Sequence, residues 1–377
     1  MLQAIANAIE TEQYEEALQL LQDLEAADAE NLWAIFYRAR LTEAIGDLTE
    51  AEGQYRQLLP QVNNPQLTAK IRQGLTRISQ QRHLAQAKAQ QERQQALEAV
   101  RQEPENQQPG IFVLDIVPPE DKPAVAAQFA EIMQIDAYSA RLQLPSRAWR
   151  LYRTGGLGEL AFYQQQCEAR GIPSFCVPVS QILALKVLPV FYLETLEPNP
   201  RVVYRINHEE QGQFDFQWSE VGQRVEGLLP IFEEYVNVNT RGKIERRTDV
   251  LDYAKICDLH LLNRNIILRF CDQVYEFHQG VSLLAPENRS QESTSHEQWQ
   301  TLQQHFQDHL PLSPVWSDFN PFADTAKDFP ELLKLITPHI HFLRREETLW
   351  DQAFHLYSSL AFCRRVGNCQ AGLEPPG

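Results

Sequence analysis

Cys257-x2-His260 followed by Cys271-x6-His278 places four soft donors within 22 residues. Zinc takes such sulfur and nitrogen ligands when tetrahedral geometry brings them together. The spacing matches no recognised zinc knuckle, and in alternating strands Cys257 and Cys271 read as small buried apolar groups. No metal and no cofactor is therefore expected. His305 with His309 and His339 with His341 form two further pairs, neither with a carboxylate at diagnostic spacing. Asp249, Asp252, Asp258 and Asp272 could serve acid/base chemistry only if folding brought them close enough to perturb one another. Thr154-Gly-Gly-Leu-Gly158 joins a predicted strand to a helix, where bare amides and the positive helix end can hold an anion. It lacks the fuller dinucleotide fingerprint and the Lys-Ser/Thr of a P-loop, so an ordinary glycine turn is the simpler reading. No nucleophile elbow, paired-histidine zinc helix or kinase set is present. The sequence predicts no catalytic residue.

These residues hang on a mixed α/β region bounded by two polar breaks, QEPENQQPG at 102–110 and LAPENRSQESTS at 284–295. Ile111–Val117 reads as a strand, followed by a helix bearing Val125, Phe129, Ile132 and Met133 and by a short helix capped at Asp136. A strand near Trp149–Arg153, a helix at Gly158–Arg170 and a strand at Ser174–Val179 close this module. From Leu188 the alternation predicts strands at Val190–Leu196, Arg201–Ile206, Ile266–Phe270 and Val274–Phe277, with Phe214, Phe216 and Trp218 on one face of another. An antiparallel sheet or half-open barrel is expected there, resembling a pleckstrin-homology-like domain. Beyond it two helical stripes follow, Trp299/Leu302/Phe306 and Leu332/Leu333/Ile336.

Near the start, EQYEEALQLLQDL at 12–24 returns as GDLTEAEGQYRQL at 46–58. Under this 34-residue shift Ala17 falls on Ala51, Leu21 on Tyr55, Leu24 on Leu58 and Glu12 on Gly46. The period, with a small residue where two antiparallel helices approach closely, resembles the tetratricopeptide repeat over about residues 1–68. The usual closing proline is replaced by Ala29 and Asn63, and a third copy would need other residues than Gln80 and Ala89. Two repeats do not bury a continuous core alone. A long helix from Asn64-Pro65 to Gln102, with Leu67, Ile71, Leu75 and Ile78 on one face, is predicted to cap them, its Gln80–Ala96 half solvated. The resemblance implies that the first helix of each repeat faces a partner protein, through Leu2, Ala6 and Ile9 in the first and Trp33, Phe36, Arg40 and Glu43 in the second. Trp33 and Phe36 would anchor an apolar segment and Arg40 its carboxylate. The alternative is burial of these residues against the long helix.

With 377 residues, 43% hydrophobic and 22% charged, the chain suffices for several domains. Its 34 basic and 50 acidic residues give a formal charge of -16, which repels phosphate backbones, so DNA is not an expected partner. The basic stretch Arg241, Lys243, Arg246 and Arg247 reads as a solvated hairpin or as a grip for phosphate or an acidic partner. The longest apolar run, Ile182–Leu193, is broken by Lys186 and Pro189 and is too short to span a bilayer. No signal-peptide pattern marks the start, which leaves Asn288-Arg-Ser without glycosylation meaning. Six scattered cysteines fit a reducing cytoplasm.

The expected architecture is multidomain α+β: helical repeats at 1–68, a spacer helix at 69–104, an α/β domain at 109–181, a β-rich domain at 187–283 and a helical region at 296–369. The expected function is a non-catalytic adaptor or assembly factor that binds protein partners, with peripheral attachment to a membrane complex among the roles the resemblance implies. Two alternatives stand beside it. One is a ligand sensor or enzyme with its site in residues 188–283, recruited by the repeats. The other is single-stranded RNA binding through Arg241–Arg247 and exposed Phe214, Phe216 and Trp218.

Overall fold

The computed structural model describes residues 1–28, 30–206, 210–238, 244–282, 294–342 and 348–371, and within them every side chain except those of 105, 234–238, 244–248 and 366–371. The chain divides into two compact units, Met1–Glu98 and Ala99–Gly377.

The first unit is helical: α1 (Leu2–Glu10), α2 (Tyr14–Ala27), α3 (Leu32–Ile45), α4 (Leu48–Leu58) and, after a short 3-10 turn, α5 (Pro65–Gln102). Asn31 starts α3 by accepting from the amides of Trp33 and Ala34, and Asp47 starts α4 by accepting from Glu50; each satisfies amides that a helix start leaves without partners. The turn inside each hairpin needs one left-handed residue. Gly46 supplies it with φ 102, and Glu12, its equivalent in the first repeat, adopts it with φ 59. Packing follows the same register, because Ala17 and Ala51, and likewise Leu21 and Tyr55, are fully buried. α5 covers the second hairpin with Leu67, Ile71 and Ile78. Gly74 lets it approach closely, since a Cβ there would lie 2.7 Å from the Tyr55 ring. From Gln80 to Ala96 this helix is largely exposed, as its polar composition demands.

The second unit runs β1 (Pro109–Leu114), α6 (Lys122–Met133), α7 (Ala137–Gln143), β2 (Arg150–Gly156), α8 (Leu157–Glu168), β3 (Ser174–Pro178), α9 (Val179–Leu183), β4 (Lys186–Thr195), β5 (Arg201–Arg205), β6 (Gln211–Asp215), β7 (Val221–Val238), β8 (Ile244–Leu261), β9 (Ile266–Cys271), α10 (Ser295–His309), β10 (Val315–Trp316), α11 (Phe319–Ala326), α12 (Pro330–Lys334) and α13 (Trp350–Ala371). Three strands form an antiparallel sheet in the order β2-β1-β3, and seven form a second sheet in the order β10-β7-β8-β9-β4-β5-β6. This larger sheet is mixed, since β4 runs parallel to β9 and β10 to β7, where an antiparallel sheet or half-open barrel was expected. Val274–Phe277, expected as a strand, lies in turns and irregular chain: Val274 and Tyr275 both donate their amides to the Cys271 carbonyl, closing the chain on itself.

Alternation along the strands sorts the core into layers. Phe112 and Leu114 face α6, α7 and α8, while Ile111, Val113 and Leu151 face α11 and α13. Val225, Leu229, Ala254 and Ile256 of the large sheet meet α13 from its other side. The opposite face of the large sheet, with Leu259, Leu268 and Phe270, packs on Trp299, Leu302 and Phe306 of α10. α13 is thus the filling between two sheets. Ala353, Phe354, Leu356, Tyr357 and Leu360 are buried all round it, as a helix without a solvent face requires. The modules expected at 109–181, 187–283 and 296–369 share these cores within one unit.

Candidate functional site

The positions expected to face a partner are unequally open. Phe36 and Ile9 are buried in the hairpin core, with the Phe36 ring against Tyr37 and Tyr55. Leu2, Ala6 and Trp33 are half-buried at its margin, and Lys70 of α5 stands 5.9 Å over the Trp33 ring. Arg40 lies 3.6 Å from Glu10 with its side chain 28% exposed. Glu43 is occupied by the protein itself: Arg77 donates to it through Nε at 2.8 Å and Nη2 at 2.9 Å, and the Tyr55 hydroxyl donates at 2.8 Å. Glu43 therefore ties α5 to the second hairpin, and burial against the long helix holds for this residue.

The Cys/His set is dispersed. Cys257 pairs with Phe270 and Ile256 with Cys271 across β8 and β9, so the two thiols point to opposite faces of the sheet. Cys257 and His260 are three positions apart, an odd offset that also puts them on opposite faces. His278 is exposed in the following loop. Among the described residues no group of three or more His, Cys, Asp or Glu is placed to hold a metal. The aspartates do not gather either: Asp258 is buried, Asp252 is exposed, and Asp272 accepts from the Lys255 amide at 2.9 Å.

On the α13 face of the large sheet, His260 takes part in a buried chain of hydrogen bonds whose polarity the end groups fix. Trp316 Nε1 donates to Gln223 Oε1 at 2.9 Å. Gln223 Nε2 lies 2.9 Å from His260 Nδ1, and His260 Nε2 lies 2.9 Å from Ser358 Oγ. Ser358 gives its proton to Asp258 Oδ2 at 2.6 Å, so it must accept from Nε2–H, and Nδ1 must accept from Gln223. Asp258 is held by Arg269 through Nε at 2.9 Å and Nη2 at 2.7 Å, and Arg269 Nη1 donates to the Pro338 carbonyl. The order is wrong for nucleophilic catalysis, where the imidazole stands between hydroxyl and carboxylate. Here the hydroxyl stands between them, and Asp258, His260 and Ser358 are wholly inaccessible. Burial, against the pull of the Asp258 charge and with Arg269 adding to it, lowers the His260 pKa from 6.5 to about 4. The chain fastens α13 to β7, β8 and β9.

The opposite face of the same strands carries a cleft of about 570 Å³ between β7, β8, α10 and the start of α11. Gln300, Gln303, Gln304 and Gln307 form one wall; at i, i+3, i+4 and i+7 they make a single helical face beside the apolar stripe of α10. Arg224, Glu226 and Lys255 supply the charges. Arg224 is only 4% exposed. Its Nη2 donates to Gln307 Oε1 at 2.9 Å and lies 3.6 Å from Glu226 Oε1, while Nε and Nη1 have no hydrogen-bond partner. The glutamine spacing was readable in the sequence, but Arg224 was hidden in a strand that the alternation did not reveal.

The remaining candidates have structural roles or lie elsewhere. Gly156 and Gly158 are small because the Asn106 segment packs on them, and Leu157 donates its amide to the Gln108 carbonyl at 2.8 Å, so the protein's own chain covers that helix start. Phe216 is buried, and Phe214 and Trp218 pack beside it instead of presenting open faces for stacking. His305 and His309 stack on each other at 5.6 Å, and His339 meets His355 at 5.4 Å. Arg241, Lys243 and Asn288 lie outside the described residues, as do the side chains of Arg246 and Arg247. Among the described residues no helix is long and apolar enough to cross a membrane. No protein-family model, curated protein or solved structure matches the chain.

Proposed function

We propose that the protein is a non-catalytic adaptor or assembly factor whose amino-terminal helical hairpins, tetratricopeptide-like in period, dock a partner polypeptide. One observation carries this reading: the 34-residue echo recurs in space, with Glu12 and Gly46 both left-handed and Ala17/Ala51 and Leu21/Tyr55 both buried. Repeated hairpins of this kind present a continuous face of their first helices, and such faces recognise extended or helical segments. The docking patch is then Trp33 and Arg40 of α3 with Leu2 and Ala6 of α1. Phe36 and Ile9 support it from beneath, and Glu43 fixes α5 at its side. Trp33 offers a half-buried aromatic surface and Arg40 a cation, the pair of residue types enriched where interface energy concentrates.

The test is in-cell crosslinking of the full chain followed by identification of captured proteins, compared with Trp33→Ala plus Arg40→Ala. Both side chains are partly exposed, so the variant should fold. We expect it to lose a reproducible partner; a variant that keeps every partner of the parent would remove the docking role from this patch.

A further inference from the structure

We propose that the glutamine-walled cleft in the second unit binds a small polar carboxylate, its carboxyl group against Arg224 and its body hydrogen-bonded to the α10 glutamines. The inference is independent of the docking reading, because it rests on a different unit and on different residues.

Arg224 carries it. A guanidinium has five N–H donors and no acceptor capacity. Only Nη2 is engaged here, and the three N–H groups on Nε and Nη1 are withdrawn from water without a partner. Leaving buried donors of a cation unmet costs free energy at every such group. Arg224 lines the cleft, and a ligand oxyanion that reaches these donors when the side chain turns toward it removes that cost; charge-assisted bonds to arginine are among the strong ones. The residue is also held in place, because its amide donates to the Pro314 carbonyl at 2.9 Å and its backbone pairs with Val315 on one side and Leu259 on the other.

The lining defines the class of ligand. A volume of about 570 Å³ suits a small molecule. Among the lining residues the charges are Arg224 and Lys255 against Glu226, one net positive charge in a chain of formal charge -16. That balance favours a single negative charge over a polyphosphate. The glutamine amides are partly engaged, since Gln300 Nε2 lies 2.9 Å from His296 Nε2, Gln304 Nε2 donates to Asp308 Oδ1 at 2.7 Å and Gln307 Oε1 accepts from Arg224; the amide atoms left over suit hydroxyl or amide groups on the ligand body better than an alkyl chain. Lys255 Nζ lies 2.7 Å from His296 Nδ1 and so borders the site as a partnered group.

The experiment measures thermal unfolding of the full chain with about 20 mM gluconate or N-acetylglutamine, using glucose and inorganic phosphate as controls. At a concentration about tenfold above Kd, the midpoint should rise by about 3 °C. We expect the rise with the carboxylates and none with glucose. It should be lost in Arg224→Gln. It should also be lost in Gln304→Trp, which places bulk in the cleft at an exposed position and keeps the test valid if Arg224→Gln fails to fold. A larger rise with phosphate than with either carboxylate would overturn the ligand class. A rise that survives in the folded variants, or no rise with either carboxylate, would overturn the site.

Discussion

His260 gives the unit Ala99–Gly377 a specific sensitivity to acid. Its ring is wholly buried, and its pKa falls from 6.5 to about 4 because burial outweighs the attraction of the Asp258 carboxylate for the cation, with the Arg269 charge adding to the fall. Direction in the hydrogen-bond chain adds to this: a second ring proton on Nδ1 would face the Gln223 amide donor, and turning that amide would confront Trp316 Nε1 with the wrong group. The sign follows from proton counting. Between about pH 6.5 and pH 4 the unfolded chain carries a proton on this residue that the folded chain refuses, so stability falls as pH drops through that window and is complete above it. At about 1.4 kcal/mol per pKa unit, the loss attributable to His260 is about 3 kcal/mol. Urea unfolding followed by tryptophan fluorescence, at about pH 7.5 and about pH 4.5, should show this loss in the parent and a correspondingly smaller one in His260→Gln. The other buried histidines are present in both proteins; His355, whose own lowering includes a small part from His260, differs slightly between them. Parallel pH profiles for the two would refute the reasoning.

Asp258→Asn leaves the buried Arg269 without its counter-charge and should cost about 3 to 5 kcal/mol, whereas Asp258→Leu with Arg269→Met should cost less, both read by urea unfolding. Glu12→Gly relieves a left-handed glutamate and should slow amide exchange throughout α1 and α2, a gain of about 0.5 to 1 kcal/mol, while Gly46→Ala should lose a similar amount. Gly74→Ala drives a methyl group into the Tyr55 ring and should weaken the covering of the second hairpin by about 1 to 3 kcal/mol, seen as faster exchange in α4 and the first half of α5.

What the sequence revealed depended on whether one periodicity dominated a segment. The amino-terminal hairpins and α5 were legible because their apolar residues repeat at helical spacing and again at 34 residues; α5 was expected from Asn64-Pro65 to Gln102 and spans Pro65–Gln102. β1, β3, β4 and β5 were legible as β-branched or alternating runs. β7 and β8, the 18-residue strands that carry both the buried chain and the cleft, were not. Gly222, Gly227 and Pro230 interrupt the β-branched pattern, and Arg224, Glu226 and Lys255 fall on the face that α10 covers, so no clean alternation survives. Cys257 was legible in an alternating strand, but the bounds of that strand were not, and the opposite orientation of His260 follows only once β8 is known to run on through it. The layering of α13 between two sheets had no local signature, because a helix buried on every side shows little amphipathic pattern.

That layering constrains how the protein is made. Every strand on either side of α13 precedes it in the chain, so a ribosome delivers both sheets before the element that fills the space between them. Until Trp350 and the residues after it emerge, the apolar surfaces around Val113, Trp149, Val225 and Leu229 are only partly covered, by α11 and its neighbours, and the charges of Asp258 and Arg269 lack the Ser358 hydroxyl and the dry enclosure that α13 provides. The packing of this unit is therefore completed only once α13 is available, and a chaperone that shields open sheet surfaces would act on it in that interval.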